Sequence, residues 1–367
     1  MPDILGVLLC EGESAFASMP LLGRPCAEHV KAQMLAAGAD AEAFDAEEIS
    51  PCAYDAVLFA AEHTPCIGDL SALVSLAKEK PAALVSAQGA PLAFALPASE
   101  LSVFDEPLTM ALLFEEYADT LQTVSTECME DGIAVTDAES FAAAYQCLRA
   151  RIVKRHMQNG VIVLTPERTV IEAEVTIGGG TMLYPDNTLQ GYTAIGGGCT
   201  LYPGSRMLDA VIGDRATVEH SVLIQCRVGS ETTVGPFAYL RPQAVVGDRC
   251  RIGDFVEIKN STIGDETKVS HLTYVGDGDL GKHINLGCGV VFTNYDGKQK
   301  HRSVVEDNAF IGCNVNLIAP VHVGKDAYVA AGSTVEQDVP DNALYIARAR
   351  GVVKEGWVLR RKEKGKL

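Results

Sequence analysis

From Ile177 to Gly324 an aliphatic residue followed by glycine returns again and again, and many of these pairs are spaced at whole multiples of six. Examples are Ile177-Gly178, Ile195-Gly196, Val228-Gly229, Val234-Gly235, Val246-Gly247, Ile252-Gly253, Leu280-Gly281, Ile311-Gly312 and Val323-Gly324. This period predicts a parallel β-helix in which each hexapeptide forms one flat face and three hexapeptides form one triangular coil. The aliphatic residue points inward, and glycine is expected to take the tight bend beside it, where a Cβ would clash. Stacking about eight coils at strand spacing, roughly 4.8 Å, would build a continuous aliphatic core. Ordinary antiparallel strands would instead show hairpin dipeptides and strict alternation. The largest break runs from Leu286 to Ile311, longer than a coil of three hexapeptides allows, and contains Asn294-Tyr295-Asp296-Gly297-Lys298-Gln299-Lys300. That polar loop must protrude, and insertions in solenoids tend to sit on the functional face.

The first third of the chain has a different pattern. Aliphatic runs at 4–9, 56–61 and 82–87 alternate with helix-like stretches at 27–37 and 70–80, which predicts a small α/β layer with a parallel sheet. From Ala138 to Asn159 there is neither Gly nor Pro, and Phe141, Ala144, Tyr145, Cys147 and Leu148 recur at helical spacing. A linker helix capped near Thr136-Asp137 follows. The expected organisation is an α/β domain over 1–135, a linker helix over 136–160, a β-helix over 161–345 and a tail over 346–367.

Charge sharpens this division. The stretch 1–150 holds 24 acids against 5 bases, a net of −19, and the remainder holds 24 against 25, a net of +1, so the whole of the −18 arises from residues 1–150. Such a chain is not expected to bind nucleic acid by neutralising phosphates. Aromatic residues make up only 6%, as a narrow coil interior requires. The 11 cysteines are odd in number and lack any CxxC, and no apolar run reaches the ~18 residues of a membrane helix. The start MPDILGVLLCEGES has no secretory pattern, so a cytoplasmic protein with reduced thiols and no membrane segment is expected.

Within the repeat region stand Gly235-Pro236-Phe237-Ala238-Tyr239-Leu240-Arg241-Pro242, Phe255-Val256-Glu257-Ile258-Lys259, His271-Leu272-Thr273-Tyr274-Val275-Gly276-Asp277, Asn294-Tyr295-Asp296-Gly297 and Lys354-Glu355-Gly356-Trp357. This ordered set closely resembles the bacterial bifunctional enzymes that acetylate glucosamine-1-phosphate and then uridylylate the product to UDP-N-acetylglucosamine. The resemblance covers the chain from about 136 to 360 and is faint over 1–135. It implies a left-handed β-helix, a homotrimer with sites between subunits, acetyl-CoA as co-substrate and an amino-sugar phosphate as acceptor, with no metal for acetyl transfer. Within it His271 is similar to the catalytic base, which the chemistry needs because an ammonium has no lone pair for attack on a thioester.

Arg241 and Lys259 are separated by three hexapeptides, one full coil, so their side chains are expected to stand one above the other. Two cations at strand spacing, about 4.8 Å, are costly unless an anion bridges them or acids such as Glu257 pair with them. The resemblance selects the first alternative, a sugar phosphate, with Lys300 closing over it. It also implies that Tyr274, Asn285 and Asn294 contact the sugar, and that Asn294, Tyr295, Cys288, Cys313, Ala331 and Arg348 line the acetyl-CoA groove. Small residues suit a thin pantetheine arm lying against backbone amides, which can also steady an oxyanion. Cys288 and Cys313 depart from the family, where Ala and Ser are usual. The basic run from Arg360 to Lys366 reads as a solvated terminus or as a contact for CoA phosphates.

The first domain lacks what a uridylyltransferase needs. Its loop Leu9-Cys10-Glu11-Gly12-Glu13-Ser14 carries two acids and no base, where a phosphate-binding loop with Arg and Lys is expected. His63 stands near the position of the magnesium-binding Asp, and Thr136 near that of the Asn. Uridylyl transfer is therefore not expected, and magnesium would matter only if that activity survived. The leading expectation is N-acetylation of glucosamine-1-phosphate for cell-wall precursor synthesis. The alternatives are the same reaction on galactosamine-1-phosphate and a non-catalytic regulatory trimer. A zinc-dependent β-helix carbonic anhydrase fits poorly, because His271 and His283 are two hexapeptides apart and so fall on different faces.

Overall fold

The computed structural model describes residues 4–10, 14–40, 54–101, 108–126 and 131–366. It divides into two compact units, residues 1–176 with 188–193, and residues 177–187 with 194–367. The acidic run Glu11-Gly12-Glu13 lies outside the described residues.

The first unit contains a five-stranded sheet built from β1 (Ile4–Leu9), β2 (Ala56–Ala61), β3 (Ala82–Val85), β4 (Pro91–Pro97) and β5 (Gln122–Ser125), in the order β1-β2-β4-β3-β5. Helices α1 (Cys26–Ala36) and α2 (Ser71–Ala77) supply Val30, Met34, Leu73 and Ala77 to one core. Helix α3 (Met110–Glu116) supplies Met110 and Leu113 to the other. Because β2 is buried along its whole length, every one of its residues is apolar, as a strand covered on both faces demands. One expectation needs correction: the sheet is mixed, since β4 runs antiparallel to both β2 and β3. The reason is local. The Ser86 N–H donates to the Ala90 carbonyl at 2.7 Å across a turn at Gly89, and so short a connection can only join antiparallel neighbours. Helix α4 (Ala138–Gln158) begins with a reciprocal cap in which Asp137 accepts from the Ser140 N–H at 2.8 Å.

The repeat region is a parallel β-helix, as its period predicts, with three sheets of 10, 9 and 11 strands. Inward positions such as Leu223, Leu240, Ile258, Val275 and Leu317 have no exposed surface. Coil length varies more than a strict three hexapeptides. Val228 pairs with Val246 at that full spacing, whereas the coils that pair Ile212 with Val228 and Val246 with Ile263 are shorter. The shorter coils omit residues at corners, where a single left-handed residue such as Asp209, φ 50°, turns the chain. Apart from Gly235, φ 109°, the glycines of the aliphatic-Gly pairs are not themselves the bend. Gly312 is needed because a Cβ there would lie 2.5 Å from the Ala331 backbone nitrogen in the next coil, and the left-handed residue comes two positions later, at Asn314. The longest coil pairs Leu286 directly with Ile311, and its insertion falls between strands Val291–Thr293 and Ser303–Val305. A short helix, α5 (Trp357–Glu363), follows the β-helix, with the Arg361 guanidinium 4.8 Å from the Trp357 ring centre.

Candidate functional site

Two strands carry the cationic residues to one corner. Tyr239 pairs with Glu257 and Leu240 with Ile258, so Arg241 and Lys259, the next residues along the chain, stand on adjacent coils as their spacing predicts. The same corner receives the insertion. Asp296 ties that loop down, accepting from the Lys298 and Gln299 N–H groups at 2.7 Å each and from His301 at 2.8 Å. The Gln299 N–H in the first place, with His301 and Lys298, holds the Asp296 carboxyl far below the ordinary carboxylate range. A bridge between Tyr295 and Lys300 closes the loop, and the Tyr295 hydroxyl donates to the Gly297 carbonyl at 2.8 Å. Lys300 is thereby delivered to a cleft of about 580 Å³ shared with Arg241, Lys259, Asn260, Asp277 and Arg302.

Four cations face one buried carboxylate in this cleft. Asp277 is 4% exposed and lies 3.5 Å from the Lys259 ammonium. Burial pushes its carboxyl up, but hydrogen bonds from Asn260 and Asn294 together with Lys259 outweigh it and hold Asp277 below its ordinary value. Arg241 is paired with Glu257 at 2.7 Å, and Arg302 with Asp279. Lys300 has no such carboxylate partner among the described residues, and the neighbouring Lys259 ammonium lowers its proton affinity. An anion of two charges entering here would relieve that repulsion.

Tyr274 occupies the strand beside the cleft. Its hydroxyl lies over Gly276, where a Cβ would approach it to 2.3 Å, and Asn294 Nδ2 is 3.5 Å from the same oxygen. Asn294 is 7% exposed and also donates to Asp277. The sugar-side residues Tyr274 and Asn294 therefore adjoin the cationic corner through Asp277.

The opposite corner of the same face carries His271. Its Nδ1 is 2.6 Å from Asp254 Oδ1, which places the ring proton on Nδ1 and leaves the Nε2 lone pair outward on a half-exposed side chain. Asp254 is held below its ordinary value by this hydrogen bond. Above His271 the backbone continues rung by rung: the Gly289 N–H donates to the His271 carbonyl at 3.3 Å, Asn314 to Cys288 at 2.8 Å, and Gly332 to Cys313 at 2.8 Å. Asp254, His271, Cys288, Cys313 and Ala331 thus form one column, and the Arg348 Cδ lies 3.9 Å from where a Cβ on Gly332 would be. Of the residues expected to line the acetyl-donor groove, Cys288, Cys313 and Ala331 share the corner of the expected base with Arg348 close by, whereas Asn294 and Tyr295 lie with the insertion at the cationic corner.

Asn285 is the exception. It stands on the 11-stranded sheet between Lys268 and Phe310, beside a second cleft of about 400 Å³ with Arg249, Glu266 and His283. Within one chain it does not meet Tyr274. Asp254 and Asp277 were missed by sequence reasoning. Each lies about one coil from a named residue, a spacing shared by the exposed pairs Arg249–Glu266 and Lys282–Asp265, so coil spacing alone does not single them out. His283 and His322 lean on Glu266 and Glu306 in the same way, and among the described residues no group of three His, Cys, Asp or Glu could hold a metal. In the first unit the Val135 N–H donates to the His63 carbonyl at 2.8 Å, which brings His63 close to Thr136, but neither supplies a carboxylate. No helix among the described residues is long and apolar enough to cross a membrane.

Residues 225–260 and 302–337 match the family model for the bacterial transferase hexapeptide (six repeats). The bifunctional protein GlmU of Acetivibrio thermocellus is 50% identical over 238 residues, which are 65% of this chain and 52% of that protein. That of Clostridium acetobutylicum is 49% identical over 246 residues, 67% of this chain and 54% of its own. A mutant perosamine N-acetyltransferase from Caulobacter crescentus, solved with CoA and GDP-perosamine, is 27% identical over 33% of this chain and 57% of that one, with a TM-score of 0.29. The chain spans about half the length of the curated relatives it matches. Over about two-thirds of its length it is a homologue of the bifunctional GlmU proteins, and its coils are the left-handed parallel β-helix of the bacterial transferase hexapeptide.

Proposed function

We propose that this chain is an acetyl-CoA-dependent N-acetyltransferase of amino-sugar 1-phosphates, with glucosamine-1-phosphate as acceptor, working in UDP-N-acetylglucosamine and cell-wall precursor synthesis. The observation that carries the reading is one prism face with a cationic corner at one end and a His–Asp pair at the other. A strand segment of roughly 10 Å separates them, the span of a hexose phosphate with the side chains reaching inward. Arg241, Lys259 and Lys300 bind the phosphate, and Tyr274 and Asn294 orient the ring. The free amine attacks the thioester carbonyl, the carbon–sulfur bond breaks with CoA leaving as thiolate, and His271 Nε2 takes the proton released by nitrogen.

Acetyl-CoA lies along Cys288, Cys313 and Ala331, with Tyr295 and Arg348 at its edges. A homotrimer would bring a neighbouring copy's face, and with it Asn285, toward this groove. Residues 1–135 form a degenerate nucleotidyltransferase-like domain that transfers no uridylyl group, so a separate enzyme supplies that step.

Purified protein with acetyl-CoA and either glucosamine-1-phosphate or galactosamine-1-phosphate is expected to release free CoA, faster with the gluco sugar. His271→Ala is expected to abolish the release. No thiol release by the unmodified chain on either sugar would overturn the reading. With UTP and N-acetylglucosamine-1-phosphate no pyrophosphate is expected, and robust turnover would show that the N-terminal domain is active.

A further inference from the structure

Among the nine described cysteines six are buried, and burial pushes several of them up, Cys226 to about 12. Cys10, Cys288 and Cys313 reach solvent. Two of these three occupy the same column on consecutive coils: the Asn314 N–H donates to the Cys288 carbonyl at 2.8 Å, so the residue preceding Asn314, Cys313, stacks directly on Cys288. Consecutive rungs of a parallel ladder put equivalent Cα atoms about 4.8 Å apart. A disulfide spans Cα separations of about 4.4–6.8 Å, with Cβ atoms about 3.5–4.5 Å apart, so the two side chains need only lean toward each other. The flanking Gly287 and Gly312 add no side chain of their own here, since a Cβ on either would run into the coil above.

We propose that Cys288 and Cys313 form a modification site, a vicinal dithiol that peroxide converts to a disulfide across two coils of the acetyl-donor column. Peroxide oxidises the more exposed Cys313 thiolate. The O–O bond breaks, a sulfenic acid forms, and the remaining oxygen leaves as water. The Cys288 thiolate then attacks that sulfur, the S–S bond forms, the S–O bond breaks, and the oxygen departs as a second water with the proton of the medium. The disulfide lies on the rungs immediately above His271, so it pins the slot through which a pantetheine arm would approach. Its effect on acetyl transfer rests on the function proposed above, whereas its formation does not.

The test uses the full chain treated with hydrogen peroxide, with and without acetyl-CoA, followed by non-reducing peptide mapping and by CoA-release rates before and after dithiothreitol. A Cys288–Cys313 linked peptide is expected, suppressed by acetyl-CoA, together with a drop in rate of tenfold or more that dithiothreitol reverses. Whatever its own starting rate, Cys313→Ser is expected to keep a treated-to-untreated ratio near one, while Cys10→Ser behaves as the unmodified chain. Absence of the linked peptide, or equal peroxide sensitivity in Cys313→Ser, overturns the proposal. A linked peptide in a chain that acetylates neither sugar leaves the dithiol standing and overturns the function instead.

Discussion

Asp254 stands one coil beneath His271, with its carboxylate oxygen 2.6 Å from the ring Nδ1. A base used through Nε2 needs its other nitrogen held as a hydrogen-bond donor, and this pair supplies that without any other side chain. Asp254→Ala is expected to lower kcat by about 10–100-fold with KM for sugar and acetyl-CoA little changed. Asp254→Asn retains an acceptor for Nδ1–H and should fall between Asp254→Ala and the unmodified chain. Steady-state kinetics on the three proteins check the order. The Asp254 carboxyl is held below its ordinary value, so its pairing is complete above the ordinary carboxylate range and is lost only as pH falls through that depressed value.

The cationic corner predicts an effect on KM rather than on kcat. Lys300→Ala and Arg241→Ala are each expected to raise the sugar-phosphate KM by about 10-fold or more, through the loss of a charge-assisted contact to the phosphate. Lys259 lowers the proton affinity of Lys300, so Lys300 loses its charge at a lower pH than an ordinary lysine. The sugar-phosphate KM should therefore rise on the alkaline side sooner than for an unperturbed lysine. A KM–pH profile of Lys300→Arg, whose guanidinium stays charged, should lose that rise.

Gly276 offers a specificity test that removes no functional group. A Cβ there would meet the Tyr274 hydroxyl at 2.3 Å and Asn294 Nδ2 at 2.8 Å. Gly276→Ala should displace the tyrosine and raise the sugar KM several-fold, while circular dichroism shows an unchanged fold.

In the core, Ile258 is fully buried on the strand that carries Lys259. Ile258→Ala is expected to destabilise the β-helix by about 2–5 kcal/mol through lost burial and the cavity left behind. Thermal melting monitored by circular dichroism checks it.

Much of this was legible before any coordinates. Inward aliphatics at a six-residue period follow from the physics of a stacked triangle, so Ile-Gly pairs announced the β-helix, although at Gly312 the glycine clears the next coil rather than making the bend, and the spacing of Arg241 and Lys259 announced their stacking. What escaped was decided by contacts between rungs rather than by pattern. Asp254 is one acid among many at coil spacing, and only the direction of its side chain separates it from Glu266 or Asp265. The antiparallel β4 escaped because Pro91–Pro97 reads as one more apolar run, and the short turn at Gly89 that reverses it is a matter of backbone geometry. Asn285 lies around a corner from Tyr274, a separation that sequence distance does not encode.

The insertion spanning 294–301 leaves the ladder beneath it unbroken, since Leu286 still pairs with Ile311 and Leu280 with Val305. Robustness and selectivity are therefore housed in different atoms. The stack of aliphatic rungs sets the melting temperature, while the loop that carries Lys300 hangs outside it on its own internal ties to Asp296. On the function proposed above, a library confined to this loop would sample acceptor preference on a scaffold of constant thermal tolerance, which makes it the natural place to change the acceptor.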